Sequence, residues 1–206
     1  MERLIDLDTQ FFYWINSHYC AATDWIFWVA SQHWAWAIVL VLAFIFTTLR
    51  KEPRNWWIVL LGIALCFLLS DRISVLCFKE TFCRLRPCHA LENVRMFRTT
   101  CGGQYGFISS HAANVFSLAI FLALRYRKAL RFKNEEAKEA TTSRHSAACF
   151  TILIFLWALI VGYSRPYLGK HYPGDVICGA LVGLIIGIGI YFLSKLIENI
   201  RIRKNN

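Results

Sequence analysis

Lys79 and Arg86, Ser109 to His111, and Arg165 to Asp175 bring cations, hydroxyls and titrating groups into two connecting stretches of this chain. Arginine's planar fork matches two phosphate oxygens at once, and lysine adds a compact charge. Ser109 to His111 stand where an apolar run begins, and a helix start leaves backbone N–H groups unpaired and partly positive. Cations from Lys79, Arg86 and Arg165 beside a helix start make a cradle for a dianion rather than for a carboxylate. His171 precedes Asp175 by four residues, with Pro173 between them. Proline is tolerated in the first turn of a helix, so His171 falls just before that helix and Asp175 one turn on. A carboxylate so placed can hold one imidazole N–H, fix the tautomer and leave the other nitrogen facing the phosphate. That arrangement makes a nucleophile. The second histidine can protonate the leaving alkoxide.

These groups need a frame, and the composition says what kind. Hydrophobic residues make up 57% of the 206 and charged residues 17%, where a soluble domain carries about 25% charged. Residues 25–49, 106–124, 146–164 and 176–194 contain no Asp, Glu, Lys or Arg, and 55–78 is apolar apart from Asp71 and Arg72. About 20 mostly apolar residues cross a bilayer, so five segments qualify. Ser31, Gln32 and His33 leave two readings of the first: one span, or a short helix followed by a longer one. The chain is long enough for one domain, and we expect a single integral-membrane domain over 1–206.

Basic residues set the orientation. Arg50, Lys51, Arg54, the group from Arg125 to Arg144, and Lys195 to Lys204 put 14 of the Lys and Arg on one face, against eight on the other. The positive-inside rule makes the richer face cytoplasmic. The loops 79–110 and 164–175 both open on the opposite side, so they can meet over one site. The net charge of +10 then reflects topology; it forms no single stripe and argues against nucleic acid as a partner.

Outside the spans, Leu4, Leu7, Phe11, Trp14 and Ile15 recur at helical spacing, which predicts an amphipathic interfacial helix over 1–23. No cleavable signal is expected there, because Glu2, Arg3, Asp6 and Asp8 interrupt any apolar core. Residues 133–145 are the one extended polar stretch and are expected to be a cytoplasmic loop. Arg84 and Lys170 neighbour the chemical groups, as candidates either for headgroup contact or for plain solvation. Cys83, Cys88 and Cys101 lie in the outward loop; if that side is oxidising, Cys88 with Cys101 is the pair that would close it, although spacing alone leaves the pairing open.

In three places the chain resembles a family, the type 2 phosphatidic-acid phosphatases, which share a fold with vanadium haloperoxidases. The first motif, Lys then six residues then Arg-Pro, reads KETFCRLRP from Lys79 to Pro87. The second, usually Pro-Ser-Gly-His, reads ISSH from Ile108 to His111, with Ile108 and Ser110 in place of Pro and Gly. The third reads SRPYLGKHYPGD from Ser164 to Asp175. The resemblance implies that His171 is the nucleophile, Asp175 its orienting partner and His111 the general acid. Lys79, Arg86, Ser109, Arg165 and the Ser110 backbone N–H would hold the phosphate oxygens. It also implies an all-α, multi-span bundle of about five to six helices, with its family core over 55–195.

The function expected is hydrolysis of a phosphate or diphosphate on a lipid headgroup, at the outer face of a bacterial cytoplasmic membrane, through a phosphohistidine. Polyprenyl diphosphate or lipid A phosphate is favoured, with phosphatidic acid and phosphatidylglycerol phosphate open. No metal, cofactor or obligate protein partner is expected. Two competing classes are a vanadate-dependent peroxidase on the same fold and a non-enzymatic protein that binds or moves anionic lipids.

Overall fold

A computed structural model of the protein describes residues 2–49, 55–133 and 139–205. It is all-α, and among the described residues extended pairing is limited to one isolated bridge between Leu85 and Tyr105. The elements run α1 (Glu2–Ser17), α2 (Ala21–Ala30), α3 (His33–Phe44), α4 (Trp56–Ile73), α5 (Glu80–Phe82), α6 (Pro87–Ala90), α7 (Ser110–Lys133), α8 (Glu139–Tyr167) and α9 (Pro173–Asn205). A π-helical stretch, Ser74–Lys79, joins α4 to α5.

α7 is the axle of the bundle. Val115, Leu118, Ala119, Phe121 and Leu122 are wholly buried among residues of the surrounding helices. The closest neighbour is α9, whose Gly179, Gly183 and Gly187 recur every four residues. β-Carbons at the three would run into the carbonyl oxygens of Ser109, just before α7, and of Ala113 and Ser117 on it. Such small-residue seams let helix backbones approach where lipid offers no hydrophobic drive for association. The lipid side of the bundle is apolar instead, as Ile152, Leu153 and Leu156 on α8 and Ile177, Leu181 and Ile185 on α9 show by their exposure.

The structure corrects several expectations. Among the described residues, Trp56–Phe82, His145–Tyr167 and Pro173–Lys204 are long and apolar enough to cross a membrane, with a fourth span if α2 and α3 count as one. The expected span over 106–124 starts only at Ser110, as the 24-residue α7, and is less apolar than that set. Its physical reason is burial: a helix wrapped by other helices can carry Asn114 and Ser117 inward without facing lipid. Residues 25–49 do not make one straight span; α2 and α3 meet at a 65° bend. Of the expected loop 133–145, residues 139–145 are already helix, the first turns of α8. Arg50, Lys51, Arg54 and Lys138, used for the orientation, lie outside the described residues.

α1 forms, but its two faces divide differently from the expectation. Leu4, Leu7, Phe11 and Trp14 are exposed, which suits an interfacial helix. Ile15 leaves that stripe and is buried with Tyr167 and Leu168. Phe12 is fully buried, with its ring 5.7 Å from that of Tyr172. Asn16 finishes the docking, donating its amide N–H to the carbonyls of Arg95 and Tyr167, 2.9 Å each.

Candidate active site

α4 ends, α7 begins, α8 ends and α9 begins at the same end of the bundle, and the motif residues gather at these termini and in the loop that joins α4 to α7. Lys79 closes the π stretch after α4. Arg86 precedes Pro87, the first residue of α6. Ser109 lies just before α7, where its Oγ is 3.4 Å from the Ala112 N–H, and its own N–H donates to the Asp175 carbonyl at 3.0 Å. That backbone bond ties the second motif to the third. At the end of α8 the chain turns through Gly169 at φ +76°, where the Gly169 and Lys170 N–H groups donate to Pro166 and Arg165 carbonyls. A left-handed residue is the usual way to end a helix this tightly. The turn leaves His171 in the gap before α9 and Asp175 in the first turn of α9.

Charge is distributed unevenly at this end. Arg165 is 2% exposed, and its Nε has no hydrogen-bond partner among the described residues. Lys79 donates to the Ser110 hydroxyl at 2.6 Å. Arg86 donates to the Tyr105 carbonyl at 3.2 Å and lies 3.4 Å from His171 Nε2. Among the described residues none of the three cations has a carboxylate at ion-pair distance. Burying an unpaired cation is costly, so the cluster is poised for an anion. Burial, followed by the charges of Arg86, Arg165 and Lys79, pushes His171 well below the usual imidazole range. That shift favours the neutral ring. Burial also lowers the Arg86 guanidinium from its ordinary value.

Asp175 is fully buried, with Oδ2 3.6 Å from His171 Nδ1. That is ion-pair distance and longer than a closed hydrogen bond. The carboxylate is held from its other side. Arg84 bridges Asp175 and Asp8, 2.8 Å to each, with its guanidinium 3.9 Å over the Tyr172 ring. Asp8 also accepts from the Gly174 N–H at 2.7 Å. A β-carbon at Gly174 would crowd the Asp8 carboxylate at 2.8 Å. Arg84 is thus neither a headgroup contact nor a solvated side chain. Sequence reasoning missed Asp8, although a signal was present: Asp8, Phe12, Ile15 and Asn16 fall on one face of α1, beside the stripe that carries Leu4 and Phe11.

Ser110 stands where the resembling pattern has glycine, and the structure shows why serine fits. It is the first residue of α7 and is not among the residues with positive φ. Its hydroxyl takes up Lys79, which a glycine could not do. His111 is one residue further, packed edge-on against the Trp36 indole at 5.1 Å between ring centres. Cys88 and Cys101 form a disulfide with a Cα separation of 5.9 Å, joining the segment after Arg86 to the loop before α7. Among the described residues, the cluster with metal-ligand proximity is Cys88, His89 and Cys101, and its two sulfurs are bonded to each other.

With cradle and histidines in place, the comparisons with known proteins decide the family. The family model described as the PAP2 superfamily matches residues 55–197. The chain belongs to the PAP2 superfamily. It is 30% identical over 195 residues to a lipid A 4'-phosphatase of Porphyromonas gingivalis, covering 93% of this chain and 74% of that protein. A lipid A 4'-phosphatase of Bacteroides thetaiotaomicron is 32% identical over 202 residues, covering 94% of this chain and 80% of that protein. The crystal structure of Aquifex aeolicus LpxE aligns over 89% of this chain and 94% of that one, at 25% identity and a TM-score of 0.59. Residues 1–54, which carry Asp8 and the bent α2–α3 pair, lie outside the family match.

Proposed function

We propose that this PAP2 membrane phosphatase hydrolyses a phosphate monoester of a lipid A-type glycolipid, by way of a phosphohistidine and without a metal. The observation that carries the reading is the convergence of Lys79, Arg86 and Arg165, lacking carboxylate partners among the described residues, on a buried histidine. The two relatives named as lipid A 4'-phosphatases support lipid A over a polyprenyl diphosphate.

In the proposed first half-reaction, His171 Nε2 attacks phosphorus while the bond to the leaving oxygen breaks. The three cations, Ser109 and the Ser110 N–H hold the non-bridging oxygens. Fixed charges in a site shielded from water stabilise the charge that develops. His111 gives its proton to the departing alkoxide. Nδ1 of His171 carries the proton throughout, and a small ring shift closes its 3.6 Å gap to Asp175 into a hydrogen bond, as catalytic hydrogen bonds commonly tighten on binding. In the second half-reaction, His111 takes a proton from water, which attacks phosphorus and returns His171 with release of phosphate. The site faces the outside of the cytoplasmic membrane in this reading. Support comes from the count of basic residues and from the Cys88–Cys101 disulfide, a bond that persists in oxidising compartments.

Phosphate release from lipid A by the detergent-purified protein, with a chelator present, tests the proposal. Release that persists in chelator and is lost in His171→Ala is the expected result. Chelator-sensitive release, or an active His171→Ala variant, would sink the mechanism.

A further inference from the structure

His111 and Arg165 open into a polar cavity of about 450 Å³ that His171, Lys79, Arg86 and Asp175 do not line. Apart from Lys170, its other walls come from places the motifs do not reach. Gln32 and His33 line it from the bend between α2 and α3, Arg98 and Thr99 from the loop before α7, and Lys170 from the turn after α8. The size falls within the usual range for small-molecule sites.

The position of the cavity follows from the reaction. In an in-line displacement the leaving group departs on the side opposite the nucleophile, where the general acid waits. A space lined by His111 and not by His171 is therefore on the leaving-group side. The His33 ring centre is 6.0 Å from that of His111, so whatever fills the space touches both. The cradle already has its cations; Arg98, Lys170 and the neutral donors Gln32 and Thr99 are additional.

The walls are built rather than incidental. Irregular backbone at membrane depth persists only where it is buried in protein or lines a polar cavity, and the 65° break between α2 and α3 does the latter. The loop is pinned to α2 at two points. The Trp28 indole N–H donates to the Arg98 carbonyl at 3.1 Å, and Arg95 makes a paired contact with Asp24 at 2.8 and 2.6 Å. Arg98 has φ +46°, uncommon for a residue with a side chain, and its guanidinium packs over the Trp25 ring at 4.5 Å. Burial and the charges of Arg165 and Arg86 hold Lys170 down to about 8.

We propose that this cavity is the leaving-group subsite, and that it receives the hydroxyl- and carbonyl-bearing sugar of a phosphoglycolipid. The inference rests on the phosphatase reading above and deepens it. Amide, hydroxyl, imidazole and cationic donors suit a polyol carrying acyl carbonyls; a glycerol backbone or a plain aryl alcohol would leave most of them without a partner. Most of this selectivity is housed in the N-terminal segment and the loop, on a catalytic core that the family shares.

The test is phosphate release from lipid A, phosphatidic acid and an aryl phosphate in one detergent, by the wild type, a Gln32→Ala/His33→Ala double variant and Lys170→Met. The wild type should favour lipid A over phosphatidic acid at least tenfold in kcat/KM. In both variants lipid A turnover should fall roughly 10- to 100-fold, chiefly through KM, as expected when binding shared by ground and transition state is lost. The two simpler substrates should change less than about threefold. Equal loss on all three substrates, or a wild type that prefers phosphatidic acid, overturns the subsite and leaves the phosphatase reading intact. A wild type inactive on every substrate sinks both.

Discussion

The two ends of the α7–α9 pair both bury arginine, and they treat it in opposite ways. At the end away from the site, Arg125 is 0% exposed and donates to Glu198 at 2.5 Å, with Lys128 on the same carboxylate. Two cations share one carboxylate there, and the cluster ties α7 to α9. At the site end, Arg165 is as deeply buried, yet the nearby acids are engaged elsewhere: Asp8 and Asp175 share Arg84. The same residue type is a structural tie where its charge is answered and, in the proposed reaction, an anion receptor where it is not.

Breaking each end should separate activity from stability. Arg165→Met should cut kcat/KM about 10²–10³-fold while leaving thermal stability unchanged or raised, because it removes a buried cation with no carboxylate. Glu198→Ala should do the reverse, costing about 3–5 kcal/mol of stability with kcat within a few-fold of wild type, as read by thermal unfolding and lipid A turnover side by side. A variant pair with the effects exchanged would erase the distinction. Smaller effects sharpen it. Gly183→Ala should cost about 1–3 kcal/mol through overpacking, whereas Gly189→Ala, whose β-carbon meets nothing within 4 Å, should be neutral or slightly stabilising by unfolding midpoint. Asp8→Asn should slow turnover about tenfold and alter the pH profile, since Arg84 would lose one of its two anchors; an unchanged profile would make Asp8 a fold contact only.

The pH dependence should show the site end's excess charge most gently. His171 is held below the ordinary imidazole value by burial and by neighbouring cations, so the acid limb of kcat/KM should lie below about pH 6.5. Arg86→Gln removes a cation, favours the protonated ring and should move that limb upward. For stability the sign is fixed by the lowered folded value. As pH drops below about 6.5 the unfolded chain binds a proton that the folded ring refuses, so His171 makes stability decline with falling pH. Its contribution is complete above the unfolded value.

How much of this was legible in the sequence depended on what kind of signal each residue left. Motif residues announce themselves because cations, serines and histidines at the ends of apolar runs have few other reasons to be there. Helical character was equally plain in the charge-free runs. Burial was not: an apolar run looks alike whether lipid or protein surrounds it, so nothing in 106–124 marked α7 as the wrapped axle. The bend at Ser31 and Gln32 is not legible, because polar residues inside a span are compatible with either geometry. Arg84 and Asp8 escaped because a positioning charge is defined by what lies across the fold, 76 residues away in this pair. Ile15 was assigned to the exposed stripe of α1, since helical spacing identifies faces without saying which one docks.

The glycine seam between α7 and α9 bears on how such an enzyme diversifies. Ser109 and Asp175 head two helices pressed together without room for a methyl group, so nearly every substitution along the seam threatens both at once. Natural variation in substrate preference would be channelled away from it, into segments that touch the site from outside, such as α1, the bent pair and the disulfide-closed loop. A drifting descendant would therefore keep its chemistry and change its customers by rewriting that loop and its first 50 or so residues, the latter lying outside the family match.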